Sequence, residues 1–204
     1  MAMDTARLGD EIAALDTAGA DIFHWDIMDG HFVPNLTFGP AVTKAVRQVT
    51  EKEFDVHLMV TNPAQWIDIF IDAGAENISF HAETQTDALA LVRKIKAANC
   101  KPGLALNPET SLDDINAEIL AEIDRLLIMT VKPGFGGQKF IDQSDKIKQA
   151  AATYPYLDIM VDGGINLETA KTCCTAGATS LVSGSALCHS ADRAGFIAAL
   201  KAGA

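Results

Sequence analysis

The chain has 204 residues, of which 49% are hydrophobic and 21% are charged, so we expect one domain over residues 1–204 with a full core. The formal net charge of −11 argues against nucleic acid or an anionic membrane surface as a partner. The sequence has neither a run of 18 apolar residues nor the start of a signal peptide, which favours a cytoplasmic location. The four cysteines show no CxxC spacing, and reduced thiols are therefore expected.

Helical and extended patterns alternate along the whole chain. The first helix, over residues 5–18, has apolar residues at helical spacing and ends at Gly19. Strands are predicted at 22–28, 54–60, 78–81, 103–106, 125–131, 158–161 and 180–183. Further helices are predicted at 40–49, 62–72, 86–98, 110–122, 142–153, 167–175 and 191–201, and Gly184-Ser185 is expected to form a turn.

Nearly continuous apolar strands that alternate with helices predict a parallel sheet covered by helices. A doubly wound sheet shares this alternation, but polar motifs here follow strands throughout the series, as at the single catalytic face of a barrel. We therefore predict a TIM (β/α)8-type barrel that lacks most or all of its first strand, since about seven strands stand where the fold has eight. Met1-Ala2-Met3 is a candidate stub of that strand, and an open seam with two strand edges is the alternative.

The segment Ala20–Asn35 concentrates potential chemistry. If residues 22–28 form a strand, His24, Asp26 and Met28 point to one side because they lie two residues apart. A buried His/Asp pair is costly unless a metal, a hydrogen bond or a substrate compensates it. We expect this strand end to form one wall of an active site.

Two later strands offer matching groups. His57 and Met59 repeat the two-residue spacing on the next strand, and Asp162 follows the strand at 158–161. A single histidine is more often a core or surface residue, but the set His24, Asp26, His57 and Asp162 favours a divalent metal site. These ligands suit Zn²⁺, Fe²⁺, Mn²⁺ or Co²⁺ and do not choose among them.

Glycine-rich segments follow the later strands. Their backbone amides can approach an anion closely, and helix N-termini favour negative charge. Each segment alone is also typical of a turn, but together they predict a phosphate site, and the lack of a GK[ST] motif argues against a nucleotide P-loop. The candidate residues are Gly134, Gly136, Gly137, Gly163, Gly164, Gly184 and Ser185.

The motifs HWDIMDGHFVPNLTFGP, DVHLMV, MTVKPGFGGQKF, VDGGIN and LVSGSA occur in this order. From Thr5 to about Cys188 the chain resembles ribulose-phosphate 3-epimerases. LMVTNP and LNPET look somewhat like the sister group of allulose-6-phosphate 3-epimerases, whereas PGFGGQKF and DGGIN look more like the ribulose-phosphate group. The resemblance implies a metal-dependent barrel enzyme of the pentose phosphate pathway. Such an enzyme converts D-ribulose 5-phosphate to D-xylulose 5-phosphate through a cis-enediolate, and it is expected to form a homo-oligomer.

The resemblance also assigns roles. It places one divalent metal per subunit, with Zn²⁺ as the leading candidate, on His24, Asp26, His57 and Asp162. The two aspartates serve in addition as the acid/base pair, since inversion of a carbon needs one proton removed and another delivered on the opposite face. Three methionines are placed over the enediolate, and the glycine segments bind the phosphate, with the loop from Gly134 as a lid. The methionines are Met28, Met59 and Met129.

Other readings remain open at this point. The substrate could be D-allulose 6-phosphate, since one extra carbon is discriminated only modestly. The chain could also be a truncated sugar-phosphate-binding barrel without turnover, because no residue matches the serine that the family's first strand carries. The remaining polar residues receive structural interpretations. His31 is expected to line its loop, His81 to cap its strand, His189, Lys132 and Lys139 to be solvated, and Asp29 to order its own turn with Gly30.

Overall fold

A computed structural model describes residues 3–84 and 86–203. These residues contain one parallel sheet of seven strands, in which each strand pairs with the next along the chain. The order follows from the alternation, because each helix returns the chain to the same end of the sheet. The strands are β1 Ile22–Met28, β2 Glu53–Met59, β3 Asn77–His81, β4 Lys101–Leu106, β5 Arg125–Met129, β6 Asp158–Asp162 and β7 Ser180–Val182.

Helices cover the outer face of the sheet, and their ends match the sequence signals. Pro40 opens its helix, while Asn166 and Thr169 form a capping box at the start of another, which Gly177 ends at a φ of 112°. The helices are α1 Leu8–Thr17, α2 Pro40–Val46, α3 Ile67–Asp72, α4 Ala88–Ala97, α5 Ala117–Glu122, α6 Ser144–Thr153, α7 Leu167–Ala176, α8 Ser185–Cys188 and α9 Arg193–Gly203.

The strand register sets the two faces of the sheet. Phe23, Trp25 and Ile27 of β1 are buried in the core between the sheet and the helices. The alternate residues point the other way, into the barrel, and Asp26 pairs in register with His57 of β2. The predicted separation of polar and apolar sides along β1 is therefore confirmed.

The sheet is open on one side. Within the described residues no strand pairing joins β7 to β1, and a cavity of about 310 Å³ lies between these two edges. Met3, Leu8, Leu181 and Ile197 contribute to its lining. The prediction of a TIM-type barrel with seven strands is thus confirmed. Met1 and Ala2 of the suggested stub lie outside the described residues, whereas Met3 packs against the core.

Several element boundaries differ from those predicted. The strand β5 ends at Met129, two residues early, and Asp162 is the last residue of β6 instead of following it. The predicted turn at Ser185 is wrong, because Ser185 begins α8. The helix predicted at 110–122 divides into a 3-10 turn at Leu112–Asp114 and α5. No helix in the described residues has the length and apolarity to cross a membrane.

Candidate active site

Two imidazoles and two carboxylates meet inside the barrel at the carboxyl ends of β1, β2 and β6. One potential ligand atom from each of His24, Asp26, His57 and Asp162 lies within 4.8 Å of the other three. Asp26 Oδ1 is 3.4 Å from His24 Nε2 and 3.3 Å from His57 Nδ1, and Asp162 Oδ2 is 3.9 Å from His24 Nε2. The structure therefore brings together all four of the predicted ligands.

The two aspartates have opposite protonation tendencies. Burial opposes ionisation of Asp26, but hydrogen bonds with His24 and His57 outweigh it and hold the pKa of Asp26 far below its ordinary value. Burial, with the nearby charge of Asp26, raises the pKa of Asp162 to about 7. Asp26 is therefore ionised at neutral pH, whereas Asp162 is only partly ionised there.

A buried ion pair fixes the ring of His24. Its Nδ1 lies 2.6 Å from Asp55 Oδ2, and Asp55 Oδ1 lies 2.6 Å from Arg125 Nη1. Arg125 also donates from Nε to Asp158 Oδ2 over 2.8 Å. Burial opposes a charge on His24, but the nearby carboxylates of Asp26 and Asp55 raise its pKa well above the usual value. The sequence interpretation missed Asp55 and Arg125, although Asp55 lies two residues before His57 and so shares its face.

A second buried contact supports His57. Its Nε2 lies 2.8 Å from Nε2 of His81, whose Nδ1 is 3.0 Å from Glu83 Oε2. Burial lowers the pKa of His57 and lowers that of His81 to about 4. His81 ends β3 inside the barrel, as expected, but its contact with His57 was not predicted. Glu83 was also missed, although it lies two residues after His81 and follows the end of β3.

The residues present fit a divalent metal ion. His24 Nε2 is buried, has no hydrogen-bond partner among the described residues and faces the two carboxylates. A buried polar atom without a partner is costly, and a cation between these groups would satisfy it. Two nitrogen and two oxygen donors match the preferences of Zn²⁺ and its neighbours among the transition metals.

The three methionines fall into two groups. Met28 and Met59 pair in register and form a buried cluster with Val33. They lie two residues after Asp26 and His57 on the same two strands. Met129 packs in a separate cluster at the end of β5, in register with Asp162. All three therefore lie beside ligand residues at strand ends, as predicted, but only two of them contact one another.

The predicted phosphate residues lie in three loops at the same end of the sheet. The loop after β5 packs against the loop after β1, because Asn35 Nδ2 donates to the carbonyl oxygen of Gly134 over 2.7 Å. The loop after β5 also lies close to the start of α8, because a Cβ built on Gly136 would be 3.7 Å from Ser185 Oγ. A Cβ on Gly164 would lie 3.2 Å from the Phe140 backbone. The other predicted phosphate-binding residues, Gly137, Gly163 and Gly184, lie in the same three loops.

The residues expected to be solvated are exposed. Lys132 pairs with Glu109 across 3.5 Å, and Lys139 and His189 lie at the surface. His31 Nδ1 lies 2.9 Å from the carbonyl oxygen of Asp29, within the loop after β1. Asp29 orders its own turn as predicted, and it also accepts a hydrogen bond from the backbone of Thr61.

Paired carboxylates and imidazoles at the carboxyl ends of parallel strands define a β/α-barrel enzyme. The family model described as "Ribulose-phosphate 3 epimerase family" matches residues 1–188. The chain is 42% identical to "Ribulose-phosphate 3-epimerase" of Bacillus subtilis (strain 168), over 98% of this chain and 95% of that protein. It is 40% identical to "Ribulose-phosphate 3-epimerase, cytoplasmic isoform" of Oryza sativa subsp. japonica, over 98% of this chain and 90% of that protein.

Among solved structures, 3-keto-L-gulonate-6-phosphate decarboxylase from Vibrio cholerae O1 biovar El Tor str. N16961 matches with a TM-score of 0.74. The alignment covers 98% of this chain and 94% of that chain at 17% identity, so it shows the fold alone. The family model and the two relatives decide the family. The chain belongs to the ribulose-phosphate 3-epimerase family, and the resemblance seen in the sequence motifs is confirmed.

Proposed function

We propose that this protein epimerises D-ribulose 5-phosphate at C3 to give D-xylulose 5-phosphate. The observation that carries the proposal is the pair Asp26 and Asp162, which lie beside the same two histidines and have pKa values displaced in opposite directions. The relatives that bear the name of this reaction, at about 40% identity over nearly the whole chain, support the same substrate.

The two aspartates divide the proton transfers. The ionised carboxylate removes the C3 proton from one face of the sugar, which leaves an enediolate across C2 and C3. The protonated carboxyl group then delivers a proton to C3 from the opposite face, so the configuration inverts. After turnover the two groups have exchanged protonation states, and each acts as the acid in one direction of the reaction and as the base in the other.

His24, Asp26, His57 and Asp162 would hold one divalent metal ion per subunit, for which we propose Zn²⁺ first and Fe²⁺, Mn²⁺ or Co²⁺ as alternatives. When bound, such an ion supplies positive charge that stabilises the negative oxygens of the enediolate. The chain itself contributes the orientation of both rings, through Asp55 for His24 and through His81 for His57.

We further propose that the glycine loops bind the phosphate of the sugar, so that the reacting end faces the aspartates. Gly163 and Gly164, after β6, and Gly184 with Ser185, after β7, would offer backbone amides to the anion. Gly134, Gly136 and Gly137 would close over it as a lid. The methionines Met28, Met59 and Met129 would line the apolar side of the enediolate, where polarizable sulfur tolerates delocalised charge.

A cytoplasmic homo-oligomer completes the proposal. The edges of β1 and β7 are unpaired in the described structure, and unpaired strand edges favour association. Sedimentation of the purified protein at several concentrations would test this part independently of catalysis.

The experiment that tests the function is an epimerisation assay with the metal-stripped protein after separate addition of Zn²⁺, Fe²⁺, Mn²⁺ or Co²⁺. We expect turnover of D-ribulose 5-phosphate with at least one metal, slower turnover of D-allulose 6-phosphate, and loss of both with Asp162→Asn. The matched control Asp145→Asn changes an exposed carboxylate on α6 and should retain full activity. Binding of the sugar phosphate without turnover under every metal condition would contradict the proposal.

A further inference from the structure

The gap between β7 and β1 is a slot with a strand edge on each side. Within the described residues β1 pairs only with β2 and β7 pairs only with β6, so each strand has one unpaired edge. Both strands line the cavity of about 310 Å³ between them, through residues such as Ile22 and Leu181. A single water needs only about 10–15 Å³, so this cavity has the size of a larger bound group.

The slot has an apolar side and a polar side. Toward the helices it is lined by Leu8 of α1 and by Ile197 and Leu200 of α9. Toward the barrel interior it is lined by His24 and Asp26 of the candidate site. Successive side chains of a strand point to opposite sides, so a strand that fits this slot alternates apolar residues with small polar ones.

The hydrogen-bonding groups around the slot also match an extended chain. An unpaired strand edge presents backbone N–H and C=O groups in alternation, and the backbone of another strand is complementary to them. Trp25 of β1 lines the same cavity and is 4% exposed, and its Nε1 has no hydrogen-bond partner among the described residues. A chain in the slot brings carbonyl groups, which are the kind of acceptor that this buried donor lacks.

A separate strand matches the slot better than a folded second copy of the protein does. The edge strand of a folded copy stays paired with its own neighbour, so it can pair with only one of the two edges. A separate extended segment can pair with β7 on one side and with β1 on the other. Such a segment would complete the eight-stranded ring of this barrel type and would leave no edge unpaired.

We propose that the slot between β7 and β1 binds an extended segment of another polypeptide, which enters as an added strand and closes the barrel. The segment is recognised by its backbone and by apolar side chains at every second residue, which pack against α1 and α9. The inference rests on the fold alone and does not depend on the proposed function.

The first arm of the test adds peptides to the purified protein. The probe has a seven-residue segment, the length of β1, in which valine and threonine alternate, with a lysine at each end. We expect saturable binding, and with the peptide in excess the backbone amides of β1 and β7 should exchange with D₂O about tenfold more slowly.

Two control peptides separate strand pairing from apolar adsorption. One has the same composition in a shuffled order without alternation, and the other is N-methylated at alternate residues, so it cannot pair with both edges. Neither should protect β1 and β7. Equal protection by either control peptide, or protection of only one of the two strands by the probe, would overturn the proposal.

The second arm changes the protein. Leu200→Glu places a carboxylate on the apolar side of the slot, so binding of the probe should weaken by about tenfold or more. The matched control is Leu167→Glu, the same change at an exposed leucine of α7 that is not among the described residues lining the cavity. It should bind the probe as the wild type does, and equal binding by Leu200→Glu would overturn the assigned position.

Sedimentation without peptide tests the other occupant. If a second copy fills the slot, dimers form as the concentration rises and both strand edges become protected before any peptide is added. That result would overturn the proposal, whereas edges that stay unprotected until the probe is added would support it.

Discussion

The two halves of the barrel mouth are built differently. On the β1–β3 side, strand side chains supply three of the four members of the candidate ligand cluster, and Asp162 of β6 is the fourth. Buried partners hold each ring, as Asp55 holds His24 and His81 holds His57. On the β5–β7 side, the candidate phosphate site consists of glycine backbone in loops, with Gly136 and Gly164 exposed to solvent. One half is specified by side-chain contacts and the other by backbone shape.

The difference matches what each task requires. Metal binding and proton transfer both depend on the direction of a lone pair. An imidazole ring holds its lone pair in one direction only if a hydrogen bond fixes the other ring nitrogen. A phosphate is nearly spherical and carries several acceptor oxygens, so amides at close approach can hold it without directed side chains. We therefore expect substitutions in the ligand cluster to affect the chemical step and substitutions in the glycine loops to affect substrate affinity.

The largest effect is expected for Asp26→Asn, which removes a candidate ligand and half of the acid/base pair. The amide cannot accept the C3 proton, so kcat should fall by about 10⁴-fold or more, equivalent to about 5 kcal/mol. Steady-state kinetics with saturating metal would check this. A fall of less than about tenfold would show that Asp26 is not a proton-transfer group.

The buried ion pair between Arg125 and Asp55, which holds His24, can be removed with Arg125→Met. The variant removes the guanidinium from fully buried Asp55, which then keeps only its contact with His24, and the unfolding free energy of the metal-free protein should fall by about 3–5 kcal/mol. Urea denaturation measures it. Arg93→Met, the same change at an exposed arginine on α4 that pairs with Glu118 and Glu122, should leave the urea midpoint close to that of the wild type, because solvent screens exposed ion pairs. Equal losses in both variants would contradict this account of the buried pair.

The second half can be tested with Gly164→Ala. The backbone has a φ of 65°, and the new Cβ would lie 3.2 Å from the Phe140 backbone. The loop must shift, so KM for the sugar phosphate should rise by about tenfold while kcat changes by less than about threefold, an affinity loss of about 1.4 kcal/mol. Gly39→Ala, with open space around its Cβ, should match the wild type. A fall in kcat at unchanged KM would contradict the division between the halves.

The smallest effect is expected at Asp29. It lies in the loop after β1, whose Asn35 contacts Gly134 in the other half. Slight burial opposes its ionisation, but backbone hydrogen bonds from Thr61, Phe32 and His31 lower its pKa from 3.8 to about 2. A lowered pKa stabilises the fold fully above pH 3.8, and this contribution is lost as the pH falls through about 2.

Asp29→Asn should therefore reduce the unfolding free energy at pH 6 by about 1 kcal/mol, allowing for solvent screening of this partly exposed group. The difference from the wild type should shrink as the pH falls below 4. Urea denaturation across this pH range provides the measurement. A difference that does not depend on pH would show that the carboxylate charge is not the cause.

The sequence predicted the strands and the four clustered side chains because both follow from local spacing. His24 and Asp26 share a face through the two-residue period of a strand, and parallel strands align their carboxyl ends. The roles of Arg125 and His81 could not be predicted in this way. Their partners Asp55 and His57 are distant in sequence, and only strand register and barrel curvature bring the side chains within contact distance.

The boundaries that differ have a similar origin. The β-branched residues Thr130 and Val131 follow Met129, so the sequence pattern extends β5 to Val131. In the structure the last pairing of β5 joins Met129 to Asp162, at the end of β6. Ser185 follows a glycine and therefore reads as a turn, but backbone hydrogen bonds from Cys188 to Gly184 and from His189 to Ser185 continue the chain as a short helix. Pairing and hydrogen bonding, which the sequence does not show directly, set these ends.

The most direct test of the account is the fate of the C3 hydrogen when the metal-loaded protein converts D-ribulose 5-phosphate in D₂O. Two aspartates on opposite faces predict that the D-xylulose 5-phosphate formed in the first turnovers carries deuterium at C3, because the delivered proton is not the one removed. NMR of the product reads this directly. Product that retains the original C3 hydrogen would contradict the two-aspartate account.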